Sequence, residues 1–112
     1  MKRSTDELDD LGRFSEPALL VLISLADGPK HGYAMTQDIR AVSGQKLGPG
    51  TLYGAITRLE SKGWIEPLPA DDRRRPYRLT GAGQRVLKLR LVGLRAMARL
   101  GQARLTDAYG KT

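Results

Sequence analysis

The chain has 112 residues, no cysteine and a formal net charge of +7 at pH 7. This length allows one domain with a single modest core, and the lack of cysteine excludes disulfides, thiolate metal sites and a cysteine nucleophile. The basic balance favours an anionic partner, with nucleic acid ahead of a membrane surface. No stretch approaches the ~20 apolar residues of a spanning helix and the N-terminus is too acidic for a signal peptide, so we expect a soluble cytoplasmic protein.

The N-terminal residues differ in charge from the basic remainder. Residues 4–12 contain a possible Ser or Thr cap, acids in the first turn, and the apolar Leu8 and Leu11. This pattern is typical of a short, weak helix that becomes useful when docked on another surface. We interpret residues 1–14 as a short N-terminal helix or arm.

The next segment predicts a buried helix. Ser15 is suited to the cap position and Pro17 to the first turn. The run over residues 18–26 is apolar almost all round, which predicts burial on most sides of the helix. Asp27, Gly28 and Pro29 then end it.

A second helix is predicted over residues 34–42. Met35, Ile39 and Val42 keep helical spacing, whereas the polar residues lie away from this stripe. Gly44 ends the helix.

A third helix is predicted within residues 47–64, between a Gly-Pro-Gly start and a glycine stop. Leu52, Ile56 and Leu59 fall on one core-facing stripe. The opposite face carries small residues first and cations later, namely Thr51, Gly54, Arg58, Ser61 and Lys62. Such a face suits the major groove of DNA, and an ordinary solvated helix face is the alternative.

The pattern changes from helix to strand after the third helix. Residues 64–68 predict a strand that Pro67 restricts to a sheet edge, and residues 76–80 alternate like the returning strand. The turn between them is followed by three cations, Arg73, Arg74 and Arg75. A hairpin in this place is a wing, and its arginines suit a phosphate backbone or a narrow A·T minor groove. A solvated charged loop is the alternative.

Residues 81–112 predict one long helix, which Thr80 can cap. Its heptad seam consists of Leu87, Leu91, Leu94, Ala98, Gly101, Leu105 and Ala108, and the first six are the predicted dimer contacts. A second apolar strip lies roughly opposite, at Leu89, Ala96, Leu100 and Ala103. If one strip packs on the chain's own domain, the other needs a partner, which we expect to be the same helix of a second copy. Burial of both strips against the N-terminal helices is the alternative.

The predicted fold is therefore mainly α with a small β-hairpin. It consists of the arm, a winged helix-turn-helix domain over residues 15–80, and a C-terminal dimerisation helix over residues 81–112. This fold and the positive charge predict a DNA-binding protein. A general basic nucleic-acid-binding protein and a protein-interaction module are the alternatives. An enzyme is the least favoured class, because the chain has no paired acid/base set, phosphate loop or metal-ligand cluster, and we predict no cofactor and no metal.

Five motifs occur in order along the chain: GPKHGY at 28–33, PGTLY at 49–53, RLE at 58–60, GWI at 63–65 and RRRPYRLT at 73–80. Together they resemble the PadR family of winged-helix transcriptional regulators, in the short form with a single C-terminal helix. The chain departs from the usual family pattern at Gly54, where proline is usual, and at Pro76-Tyr77, where Tyr-Tyr is frequent. The resemblance implies a homodimeric repressor, often of a nearby detoxification, efflux or stress gene, sometimes released by a small aromatic or drug-like ligand.

Nine side chains are the candidate DNA contacts: Tyr33, Lys46, Thr51, Tyr53, Arg58, Lys62, Arg73, Arg74 and Arg75. We expect Thr51, Tyr53 and Arg58 to enter the major groove. Lys46, Lys62 and the Tyr33 hydroxyl are expected on phosphates, and the wing arginines on the flanking minor groove or backbone. In a dimer the two third helices would enter successive major grooves of a palindromic operator, roughly ~34 Å apart.

Two further residues are interpreted as structural. His31 is the only histidine, and we expect it to tie a turn together through hydrogen bonds. Trp64 is expected to pack on the core, with a ligand cavity beside the dimer helix as the alternative. For Tyr33 and Tyr53, packing with a partly exposed ring is an equal alternative to phosphate contact.

Overall fold

The computed structural model describes residues 16–110. Within this range the helices are α1 (Pro17–Leu25), α2 (Gly32–Ser43), α3 (Pro49–Ser61) and α4 (Gly81–Tyr109), and the strands are β1 (Lys30–His31), β2 (Ile65–Pro67) and β3 (Pro76–Leu79). The predicted arm over residues 1–14 lies outside the described range. None of the helices in that range is long and apolar enough to cross a membrane. The predicted class, mainly α with a small antiparallel sheet, is confirmed.

The core lies between α1, α2 and α3. The predicted stripe of α3 is confirmed, since Leu52, Ile56 and Leu59 are each at most 2% exposed. From α2, Met35 and Ile39 are buried, but Val42 is 66% exposed. The last turn of α2 lies beyond the core, so the helical spacing of Val42 does not bury it.

Helix α1 begins one residue later than its predicted cap. Glu16 occupies the cap position and Pro17 the first helical position, so the prediction of Ser15 as the cap is wrong. Proline is tolerated there because the first N–H groups of a helix have no intrahelical partner. The helix is buried over most of its surface, although Ile23 is 37% exposed.

The wing belongs to a three-stranded sheet rather than to a two-stranded hairpin. The strand order is β1-β3-β2, and both pairings are antiparallel. Strand β1 pairs Lys30 with Tyr77 and so joins the start of α2 to the wing. Strand β2 lies at the edge, as predicted from Pro67.

The first two turns of α4 pack on the body of the domain. The Thr80 hydroxyl accepts a hydrogen bond from the Gly83 N–H at 3.0 Å, so the predicted cap is confirmed. A Cβ at Gly83 would lie 1.9 Å from the carbonyl oxygen of Trp64, so only glycine permits this contact. Leu87 is 5% exposed and belongs to the core of its own domain. Its predicted place in the dimer interface stays a prediction.

Beyond Leu87, α4 leaves the body. Its 29 residues give a length of about 43 Å, and Leu94 is the only later position of the helix that is not exposed. Large exposed apolar side chains follow one another along this half: Leu89, Leu91, Val92, Met97, Leu100, Leu105 and Tyr109. An ion pair of 2.9 Å between Arg90 and Glu16 ties the start of this half to α1.

Candidate nucleic-acid interface

The outward face of α3 carries the polar residues that the sequence pattern predicted. Thr51, Arg58 and Lys62 are exposed, and Tyr53 is 49% exposed. The buried stripe lies on the opposite side of the same helix. The arrangement follows from the 3.6-residue period, which separates the apolar stripe from the polar face.

Tyr53 also fixes how closely α3 approaches α2. A Cβ at Gly32 would lie 2.2 Å from the Tyr53 hydroxyl oxygen, so glycine leaves the room that this ring occupies. Tyr33, in the first turn of α2, is 64% exposed, and its hydroxyl accepts a hydrogen bond from the Gln37 side-chain amide at 3.0 Å. Both rings are partly exposed, and contact of their hydroxyls with phosphate stays a prediction.

The wing tip is a tight two-residue turn. Asp71 and Arg74 exchange backbone hydrogen bonds of 2.7 and 2.9 Å. The central residues have positive φ angles, 49° at Asp72 and 69° at Arg73. Positive φ at both central positions is typical of a type I′ turn, in which glycine is the usual second residue. Here that position holds an arginine.

The three wing arginines have different surroundings. The Arg75 guanidinium donates a hydrogen bond of 3.0 Å to the Leu68 carbonyl and so braces the hairpin. The Arg74 guanidinium lies 3.5 Å from Nε2 of His31. Arg73 is exposed, and its side chain has no hydrogen bond or ion pair within residues 16–110. Three identical residues in sequence thus have three different environments.

A cleft of about 270 Å³ lies between the wing and the start of α2. Its lining includes five of the nine predicted DNA contacts, Tyr33, Tyr53, Arg73, Arg74 and Arg75, together with His31, Gly32 and Tyr77. The other four predicted contacts, Lys46, Thr51, Arg58 and Lys62, do not line it. Lys46 is exposed between α2 and α3, and the Lys62 ammonium lies 5.2 Å from the centre of the Trp64 ring.

His31 and Tyr77 line this cleft although the sequence pattern did not single them out as DNA contacts. His31 Nδ1 accepts a hydrogen bond from the Ala34 N–H at 3.4 Å, which confirms the predicted structural role of this residue in the turn. Burial raises the pKa of the Tyr77 hydroxyl, and the negative charge of Glu60 on α3 raises it further, while Arg75 opposes the change.

The turn before β1 is held by a separate ion pair. Lys30 donates hydrogen bonds to the Asp27 carboxylate and to the Ser24 carbonyl. The hydrogen bond from Lys30 lowers the pKa of Asp27, and the lysine charge acts in the same direction. These contacts join the turn after α1 to the first residue of β1, next to His31.

A cavity of about 590 Å³ lies where α1, β3 and α4 meet. Its lining combines apolar and cationic side chains, among them Leu25, Leu79, Leu87, Leu91, Arg78 and Lys88. Trp64 does not line it; the indole packs against the core, as predicted, and borders a separate cavity of about 220 Å³. Arg78 is paired with Glu66 at 2.8 Å.

The fold, with its sheet-bound wing and long final helix, defines a winged-helix protein. The family model of the PadR-like transcriptional regulators matches residues 20–89. The chain therefore belongs to the PadR-like family of transcriptional regulators.

Two curated relatives share part of this sequence. The first is a 37.1 kDa protein of a Streptomyces fradiae transposon, 51% identical over 76 residues that cover 68% of this chain and 22% of that protein. The second is the transcriptional regulator Rv3488 of Mycobacterium tuberculosis, 40% identical over 72 residues that cover 62% of this chain and 66% of that protein. The matched part thus spans about a fifth of the first relative and just under two thirds of the second.

Solved structures share the architecture over most of the chain. A PadR-family regulator from Clostridium difficile has a TM-score of 0.74 and 25% identity, covering 81% of this chain and 99% of that one. A PadR-family regulator from Eggerthella lenta has a TM-score of 0.71 and 29% identity, covering 94% of this chain and 93% of that one.

Proposed function

We propose that this chain forms a homodimeric transcriptional repressor that binds a palindromic DNA operator. The observation that carries the proposal is the cleft in which residues of α2, α3 and the wing converge. Tyr33, Tyr53 and the three wing arginines line it together, next to the exposed face of α3. Side chains that are distant in sequence thus form one polar, cationic surface, which is what binding to a DNA backbone requires.

In this proposal the exposed face of α3 enters the major groove. Thr51, Tyr53 and Arg58 are exposed towards solvent and do not belong to the buried hydrophobic cluster. Arginine is suited to read the acceptor edge of guanine, and each good bidentate contact discriminates by about 1–3 kcal/mol. Lys46 and Lys62 would contact phosphates. The ammonium of Lys62 lies over the Trp64 ring, which supports an ordered position for this side chain at the end of α3.

The second half of α4 is the proposed dimer interface. This half of the helix extends past the body of the domain, and its apolar side chains, among them Leu91, Leu105 and Tyr109, are exposed. A soluble monomer rarely exposes a contiguous apolar surface of this kind. The remaining seam, Leu91, Leu94, Ala98, Gly101 and Leu105, would pack against the same seam of a second copy. Two-fold symmetry then presents two α3 helices to a palindrome.

Release by a small ligand is part of the proposal. The cavity between α1, β3 and α4 has a volume of about 590 Å³, which falls in the range of small-molecule sites. It is lined by Leu25 of the winged-helix domain and by Leu91 near the base of the proposed dimer helix. A ligand bound there would change the angle between the two and so the spacing of the α3 helices.

Fluorescence anisotropy tests the DNA-binding part. The purified protein is titrated onto labelled DNA from just upstream of its own gene and onto a scrambled duplex, at two salt concentrations. We expect a preference of about a hundredfold or more for the upstream DNA and a steep loss of affinity with salt. Equal binding to both duplexes would indicate a general nucleic-acid-binding protein, and no binding to either would overturn the proposal.

Light scattering after size exclusion tests the dimer. We expect a mass of two chains, reduced to one when Leu105 and Leu91 are both changed to Glu. A matched control changes the exposed Arg99 to Glu, on the cationic flank of the same helix. A wild-type monomer at micromolar concentration would contradict the dimer and favour the protein-interaction alternative.

A further inference from the structure

His31 stands between the first turn of α2 and the wing tip. Its Nδ1 atom accepts the hydrogen bond from the Ala34 N–H. A backbone N–H can only donate, so Nδ1 of the neutral ring carries no proton and the ring proton lies on Nε2. The cap of α2 thus fixes which side of the imidazole donates.

The donating side of this ring faces another donor. Nε2 of His31 lies 3.5 Å from the Arg74 guanidinium, and a guanidinium has N–H donors and no acceptor. Two donors cannot satisfy each other. Asp71 and Asp72 border the ring on the neighbouring side of the wing turn, but within residues 16–110 neither carboxylate bonds to His31 or Arg74.

An anion between the two groups would satisfy both donors. The surrounding cleft has a volume of about 270 Å³, whereas one water takes about 30 Å³ in the liquid, so a phosphate group and several waters fit. Tyr33 and Tyr53 line the same cleft, and a tyrosine hydroxyl can donate to further oxygens. Hydrogen bonds from a guanidinium to phosphate are shorter and stronger than those between neutral groups.

We propose that His31 and Arg74 form a phosphate site that takes one phosphate of the DNA backbone. This assignment rests on the proposed DNA-binding function and extends it, because it gives the capping histidine a second role in binding. The cap orients the ring, and the ring then contributes a fixed donor beside the arginine. The bound phosphate would also join the wing to the start of α2.

Two substitutions separate this role from capping alone. His31→Asn keeps an acceptor near Nδ1, and asparagine is among the best cap residues, but it removes the donor that points into the cleft. His31→Gln places an amide N–H near the position of Nε2 and moves the cap acceptor away.

We expect His31→Asn to weaken operator binding about tenfold to a hundredfold, the range for a hydrogen bond to a charged group, with an unchanged melting temperature. We expect His31→Gln to retain most of the affinity at a lower melting temperature. A residue that only caps α2 would give the reverse order, with Asn silent and Gln impaired in binding, and that result would overturn the proposal.

Replacement of single phosphates in the DNA backbone identifies the phosphate that binds at His31 and Arg74. Operator duplexes carrying one neutral methylphosphonate at successive positions are compared with wild-type protein and with His31→Asn. We expect one phosphate per half-site at which the modification weakens wild-type binding but has little further effect on the variant. Equal penalties for both proteins at every position would contradict a DNA phosphate at His31.

A titration without DNA tests the site independently of the proposed function. Because the chain has one histidine, its imidazole gives a single set of NMR signals. Inorganic phosphate added at constant pH and ionic strength should shift these signals in the wild type and leave them unchanged in Arg74→Gln. No shift in the wild type would overturn the phosphate site even if operator binding stands. If phosphate shifts the signals but the protein selects no operator, the site binds a free phosphorylated ligand and the proposed DNA-binding function is wrong.

Discussion

Helix α3 and the wing depart from ordinary folding preferences in opposite ways. Helix α3 has Gly54 in its interior, where alanine would be better by roughly 0.5–1 kcal/mol. The wing has Arg73 at a φ of 69°, where glycine would avoid a cost of roughly 1–2 kcal/mol. The helix thus holds a glycine where the fold prefers a side chain, and the turn holds a side chain where the fold prefers glycine.

Neither choice is explained by packing within residues 16–110. A Cβ at Gly54 would meet one group, the Arg58 guanidinium, at an ordinary 3.8 Å. The Arg73 side chain is exposed and has no polar partner in the same range. Residues that break a local rule without an internal gain are expected at functional sites. In the proposed complex, Gly54 lets the helix backbone approach the groove, and Arg73 places a cation at the wing tip.

The largest expected effect distinguishes base recognition by α3 from contact between the wing and the DNA backbone. Arg58→Ala should cost about 1–3 kcal/mol in binding free energy and relax the preference at one base pair of each half-site. Anisotropy on single-substituted operators measures both. Arg99→Ala, which removes the same charge from the exposed half of α4, is the control. Equal losses on operator and scrambled DNA would place Arg58 on a phosphate instead.

The wing variant Arg73→Gly should gain stability and lose affinity. We expect the free energy of unfolding to rise by about 1 kcal/mol, because the left-handed conformation no longer costs energy. The slope of log affinity against log salt should fall in magnitude by about 0.9 for each lost phosphate contact. Asp72→Gly relieves strain at the neighbouring position without removing a cation, so it should stabilise without weakening binding. Loss of affinity in both variants would assign the effect to the shape of the turn.

Regular patterns in the sequence were sufficient to predict the helices and the edge strand that carry the proposed interface. The spacing of Leu52, Ile56 and Leu59 predicted the buried side of α3, and the cap at Thr80 predicted the start of α4. Both features depend on neighbours within a few residues along the chain. Pro67 likewise predicted an edge strand, because proline has no N–H to donate to a second neighbour.

Features set by distant contacts were not predictable in the same way. Strand β1 has two residues, too few for any periodicity, and forms because β3 returns beside it. A heptad position such as Leu87 has the same pattern whether it packs on its own domain or on another copy. The three wing arginines are identical in sequence, and only the folded turn distinguishes Arg73 from its neighbours.

A smaller change tests whether Gly54 serves DNA rather than the fold. Gly54→Ala should raise the free energy of unfolding by roughly 0.5–1 kcal/mol and weaken operator binding, because the new methyl group occupies the space of close approach. Gly93→Ala, at a helical glycine of α4 with no atom within 4 Å of the added Cβ, should give the same stabilisation with unchanged binding. Chemical denaturation and anisotropy measure the two quantities. Unchanged binding in the Gly54 variant would show that this glycine, unlike the proposed role of Arg73, does not serve DNA binding.

The smallest expected effect is on stability at alkaline pH, and it tests the contact between α3 and the wing. Burial and the charge of Glu60 on α3 raise the pKa of Tyr77 on β3 above its ordinary 10.0. The folded state therefore holds this proton more tightly than the unfolded state, so the stabilisation is complete below about pH 10 and is lost as pH rises above it. Melting temperatures in this alkaline range should fall less steeply for Tyr77→Phe than for the wild type. Glu60→Gln should give an intermediate slope if α3 and the wing strand remain in contact, and a wild-type slope would show that the charge on α3 does not reach the wing.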